Sequence, residues 1–152
     1  MAQPIDYFAY ASLLDQRRMR ELAGEWDNLS TARLRDHRLR FSIWSEVWRG
    51  ATADIEPAVG EDVYGVIYGL FRDQFQEILR RHPGYIDRHV VVETGDGLVT
   101  ATALVVASPE EGHRPSKGYV QVIDEGMRQH GFAPEIRRTL WRWASLPEPG
   151  RL

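Results

Sequence analysis

The chain has 152 residues, 43% of them hydrophobic and 27% charged, the size and balance of one ordinary folded domain able to bury a core. It has no cysteine, which excludes disulfides, a thiolate nucleophile and zinc–thiolate sites. The net charge is −3 and the arginines are scattered rather than gathered in a stripe, which argues against nucleic acid as a partner. Met1-Ala2-Gln3-Pro4 lacks the order of a signal peptide and no apolar run approaches membrane length, so no membrane association and a cytoplasmic location are expected. Five tryptophans are many for this length and belong to an aromatic core, a pocket wall or an interface.

In chain order, Tyr7-Phe8-Ala9-Tyr10 reads as a strand that breaks at Ala11-Ser12 and turns into a helix. The unpaired N–H groups at such a break make an anion cradle. Ser12-Leu13-Leu14-Asp15 fits a Ser-x-x-acid capping pattern, predicting a helix over Leu13–Ala23 that stops at Gly24. Residues 25–36 have no clear period and read as loop. Arg38 to Trp44 alternate, with Leu39, Phe41 and Ile43 on one face and Arg38, Arg40 and Ser42 on the other, a half-buried strand. Residues 45–60, punctuated by Gly50, Pro57 and Gly60, read as a long loop around a short strand at Ala51–Ile55.

Val63–Leu70 is apolar almost throughout, a strand buried on both faces. Phe71, Phe75, Ile78 and Leu79 share a helical face, so a helix runs over Arg72–Arg81 until Pro83-Gly84 ends it. His89–Glu93 and Leu98–Val106 are β-branched runs joined through Asp96-Gly97, a hairpin signal. After a polar loop at 110–114, Ser116 caps a helix with Tyr119, Val122, Ile123 and Gly126 inward and Gly131 as its stop. Pro134 opens a last helix, and residues 145–152 form a tail. The mixture predicts an α+β fold: a small, mostly antiparallel β-barrel, closed or nearly so, with flanking helices, in one domain spanning 1–152 with its core over about 6–140.

The opening motif Tyr7-Phe8-Ala9-Tyr10-Ala11-Ser12 resembles the Tyr-Gly-Ser-Asn opening of the γ-glutamylcyclotransferase-like family. The likeness continues in order through Trp48-Arg49-Gly50-Ala51-Thr52, Gly60 to Tyr68, Leu79 to Tyr85 and Pro115 to Tyr119. The resemblance implies a barrel with a pocket, and enzymes in which the α-amine of a γ-glutamyl group attacks its own γ-amide carbonyl to release 5-oxoproline. That amine is mostly protonated at neutral pH, so a base must act first. The family uses a glutamate immediately before a glycine, and aligning Leu79-Arg80-Arg81-His82-Pro83-Gly84 on that setting puts Pro83 in its place. Proline has nothing to titrate. The motif's glycine is Ala11, which disfavours a positive φ, and its asparagine is Leu13.

The acid–base candidates are therefore Glu46, His82 and Asp87. Glu46 lies between Trp44 and Trp48, where aromatic walls would desolvate it unless the loop leaves it in water. His82 precedes Pro83 and is otherwise a packed or rim histidine; Asp87 is otherwise a turn or ion-pair residue. The candidate ligand-binding residues are Tyr10, Ala11, Ser12, Leu13, Leu14, Trp48 and Tyr119. His37, His89, His113 and His130 lack ligand spacing, and no metal or other cofactor is expected. Three functions stay open: an enzyme of altered chemistry on a small carboxylate-bearing molecule, a non-catalytic binding or accessory protein, and a cyclotransferase with a relocated base. The sequence is silent on oligomeric state.

Overall fold

A computed structural model describes residues 4–148. Five strands, β1 (Ile5–Ala9), β2 (Leu29–Ser45), β3 (Gly50–Leu70), β4 (Tyr85–Thr94) and β5 (Gly97–Val106), form a closed barrel in the order β1-β3-β2-β4-β5. All pairings are antiparallel except the seam, where β1 meets β5 in parallel at Tyr7 and Thr102. Four helices flank it: α1 (Gln16–Ala23), α2 (Arg72–Arg80), α3 (Lys117–Gln129) and α4 (Pro134–Ala144). The fold is α+β, as expected. Its core gathers Phe8, Leu39, Ile55, Val66 and Tyr68 from the barrel with Ile123, Leu140 and Trp141 from the helices. Burying each such side chain stabilises the fold by about 1.5–3 kcal/mol.

The long β2–β3 hairpin differs most from the sequence reading. Residues 29–36, expected as loop, are strand, because Ala32 and Leu34 point inward while Arg33 and Arg35 point out and pair with Glu93. Only two apolar residues carry that alternation, and the ladder against Asp62–Tyr68 completes it. The expected long loop over 45–60 shrinks to a turn at Glu46–Arg49. Pro57 and Gly60 do not end β3; they mark a bend, with a register shift after Arg35, Asp36 at φ 57° and Gly60 at φ 84°. The Asp36 carboxylate accepts from Gly60 N at 2.9 Å and ties the bend together. A second shift between Phe41 and Ile43 turns Ser42 inward, not outward, where it donates to the buried Asp54.

Three smaller corrections concern ends. Ser12 makes no cap: Ser12–Leu14 is a single 3₁₀ turn, and α1 begins after Asp15, whose carboxylate accepts from Arg17 N at 3.0 Å. The strand expected from His89 starts at Tyr85, because exposed residues Ile86–Arg88 pair with 103–105 without an apolar alternation to announce it. Phe71 is the exposed residue before α2 rather than part of its buried face. Ser116 does cap α3, accepting from Tyr119 N at 3.3 Å, and Pro134 does open α4. Part of the expected tail, 149–152, lies outside the described residues.

Candidate functional site

The β1–α1 turn is positioned by α3. A Cβ on Gly126 would lie 2.6 Å from Leu14 Cβ and 2.7 Å from Asp15 N, so only glycine lets α3 approach this closely. Tyr68 Oη donates to Leu13 O at 2.8 Å, and His130 Nε2 bonds Leu14 O at 2.9 Å. The carbonyls of the turn are thus held by protein groups, and the first N–H groups of a helical start have no intrahelical partner. Ala11 adopts φ −132°, so the left-handed backbone that would have excluded alanine does not occur here.

Beside this turn a cleft of about 430 Å³ opens into the barrel end. Tyr7, Tyr10, Tyr85 and Tyr119 line it, together with Ala11, Ser12 and Leu13 from the turn, Trp44, Glu46 and Trp48 from the β2–β3 hairpin tip, and Arg81, His82 and Pro83 from the end of α2. The structure therefore brings together most of the residues named from sequence. It leaves out Leu14, which is fully buried, and Asp87, which is exposed on β4 away from the cleft. Pro83 does reach the cleft wall.

Most of the interior hydroxyls are used by the barrel. Tyr10 Oη donates to Leu104 O. Tyr85 Oη donates to Ala53 O at 2.6 Å and lies 2.8 Å from Thr52 Oγ1. Tyr119 Oη accepts from Ala53 N at 2.9 Å, which leaves its own proton unused. Tyr7 is only 6% exposed, yet its hydroxyl has no hydrogen-bond partner among the described residues. Burial, the dominant cause, raises the pKa of all four phenols well above the ordinary tyrosine value, so they are neutral donors and acceptors at physiological pH.

The titratable groups of the wall are few. His82 is half-buried, and desolvation pulls its pKa below the ordinary histidine value, opposed in part by its bond to Ile78 O. His82 Nδ1 lies 2.6 Å from that carbonyl. A carbonyl only accepts, so Nδ1 carries the proton and Nε2 keeps its lone pair, with no partner among the described residues. Among the described residues Glu46 is the single carboxylate lining the cleft; it is exposed, not enclosed between indoles, and its Oε1 accepts from Trp44 Nε1 at 3.0 Å. Arg81 lines the α2 side, with its Nε on Glu77. Among the described residues no three histidine or carboxylate side chains converge as metal ligands would, and no helix is long and apolar enough to cross a membrane.

The tryptophans divide between the two roles. Trp141 is core, its indole donating to Asp124 at 3.3 Å, while Trp44 and Trp48 line the cleft and Trp48 meets Tyr119 edge-on at 5.0 Å. Sequence reasoning missed Tyr7, Thr52, Tyr85 and Arg81 as wall residues. Tyr7 carried one usable signal: it stands in the same short strand as Tyr10, just before the break.

No family model matches the chain. It is 28% identical over 142 residues to bovine γ-glutamylcyclotransferase, covering 88% of this chain and 76% of that protein. A solved γ-glutamyl cyclotransferase superposes with a TM-score of 0.86 at 23% identity, over 99% of this chain and 93% of its own. Bacillus subtilis YkqA superposes with a TM-score of 0.82 at 26% identity, over 96% of this chain and 56% of its own. The chain is homologous to γ-glutamylcyclotransferases and has their fold.

Proposed function

We propose that this γ-glutamylcyclotransferase-like protein is an enzyme that holds a small carboxylate-bearing molecule in the tyrosine cleft and uses His82 as its base, in a reaction other than 5-oxoproline release. The observation that carries the reading is the state of His82: a neutral ring on a side chain that lines the cleft, with its tautomer set by Ile78 O and its Nε2 without a partner among the described residues. This is what a general base at neutral pH requires. Pro83 stands where the resemblance aligns the cyclotransferase glutamate, so the family's base is missing from the same wall.

The remaining parts have roles that follow from their chemistry. The first N–H groups of the Ala11–Leu13 turn receive the carboxylate. Tyr7 Oη and the unused proton of Tyr119 offer neutral donors to a carbonyl deeper in the cleft, in a site shielded enough to make such bonds strong. Leu13 places an apolar side chain where the resemblance has asparagine, favouring a greasier substrate than a γ-glutamyl amine. A second reading, a cyclotransferase with its base moved to Glu46, is favoured by that residue being the one carboxylate lining the cleft among the described residues.

The test is a binding screen of small carboxylates against the wild-type chain, with turnover of each binder compared in His82→Ala and Glu46→Gln. Turnover that survives Glu46→Gln and falls about 100-fold in His82→Ala supports the assignment. Turnover indifferent to His82→Ala overturns it.

A further inference from the structure

At the hairpin tip, Trp44, Glu46 and Trp48 line the cleft that His82 lines from the end of α2. Trp44 is 44% exposed, a large apolar side chain left partly uncovered. Its indole N–H fixes Glu46 Oε1 at 3.0 Å, and Glu46 has no other hydrogen bond and no ion pair among the described residues. Several surface carboxylates here are engaged by arginines instead, Glu77 by Arg80 and Arg81, Glu93 by Arg33 and Arg35 and Glu56 by Arg38, while Glu61 accepts an indole N–H from Trp143 at 3.0 Å but does not line this cleft. Glu46 is oriented by an indole and left with an unused oxygen, even though Arg49 lies in the same turn. On Trp48, the Arg18 guanidinium lies 4.4 Å from the ring centroid and takes that face, which leaves the partly uncovered Trp44 as the aromatic neighbour of Glu46.

A carboxylate with a spare oxygen beside an aromatic ring, in a cleft, is the combination that recognises an ammonium: the oxygen takes its N–H donors and the ring attracts its charge. Arg81 and the β1–α1 turn line the same cleft and bring donors to it. The geometry points to a zwitterionic ligand, with its carboxylate at the β1–α1 turn and a cationic amine at its distal end held by Glu46 beside Trp44. This rests on the carboxylate-binding reading above and adds the identity of the ligand's far end.

The test uses 6-aminohexanoate and hexanoate, which share a carboxylate and chain and differ in the terminal ammonium, together with their shorter and longer homologues. Binding to the full chain is followed by tryptophan fluorescence at low salt. For the homologue that fits best, the amino acid is expected to bind about tenfold more tightly than its alkanoate. In Glu46→Gln that preference is expected to vanish, with alkanoate affinity changed by less than about twofold. Equal affinities in the wild type, or a preference that survives Glu46→Gln, would overturn the inference while leaving the carboxylate site standing. Failure of the whole series to bind would overturn the carboxylate site, and the inference with it.

Discussion

Two carboxylates on the β2–β3 hairpin have opposite fates. Asp54 is 1% exposed, and every direction around it is answered by the protein: Arg40 at 2.8 Å, Ser42 at 3.2 Å and Val106 N at 3.0 Å. Glu46, at the tip of the same hairpin, is exposed and holds one indole N–H. A buried carboxylate survives only where hydrogen bonds and charge offset its desolvation, so Asp54 is architecture, joining β2, β3 and the end of β5. A carboxylate with open valences lining a cleft has no such task. The same contrast separates Tyr85, whose hydroxyl is bound on both sides, from Tyr7, whose hydroxyl is not.

The contrast breaks down if the engaged residues prove dispensable. Asp54→Ala should give the largest effect, a loss of about 3 kcal/mol in urea unfolding, because it strands Ser42 Oγ and Val106 N in the interior and leaves Arg40 without its nearest partner. On the functional side, His82→Ala should cost about 100-fold in turnover of any substrate found by the carboxylate screen, with unfolding much less affected. Ser42→Ala should cost about 1 kcal/mol in the same urea experiment, the size of one ordinary hydrogen bond. Glu46→Gln should leave stability within about 0.5 kcal/mol of wild type; a larger loss would make Glu46 a structural residue after all.

A pH measurement sharpens the view of His82. Its folded pKa lies below its unfolded value of about 6.5, so the unfolded chain binds the extra proton first. Stability from keeping this ring neutral is present above that value and falls as pH drops through it towards the folded pKa. The decline in the wild type from pH about 7 to about 5 should be shallower in His82→Gln, since glutamine cannot titrate. Equal slopes would mean the ring is as solvated in the folded state as in the unfolded one.

The barrel was legible where one strand carries its own signal. Val63–Leu70 is apolar on both faces, and Asp96-Gly97 marks the hairpin between β4 and β5. It was illegible where strands depend on partners far away in sequence. Arg33 and Arg35 look like loop residues until Glu93 stands opposite them, and Pro57 and Gly60 look like stops until Asp36 explains the bend. The site followed the same rule. Tyr10, Trp48 and Tyr119 could be named from motifs, whereas Tyr85 and Thr52 become wall residues only through a bond between strands that sequence does not announce. His82 could be named, but its tautomer could not, because that depends on the position of one carbonyl.

The measurement that bears most directly on the account is release of 5-oxoproline from γ-glutamyl-amino acids and γ-glutamyl-amines by the wild-type chain. With Pro83 on the wall and Glu46, which is exposed, the one carboxylate lining the cleft among the described residues, no release above the enzyme-free blank is expected. Steady release that Glu46→Gln abolishes would contradict it, and would make this chain a cyclotransferase whose base has moved to the hairpin tip.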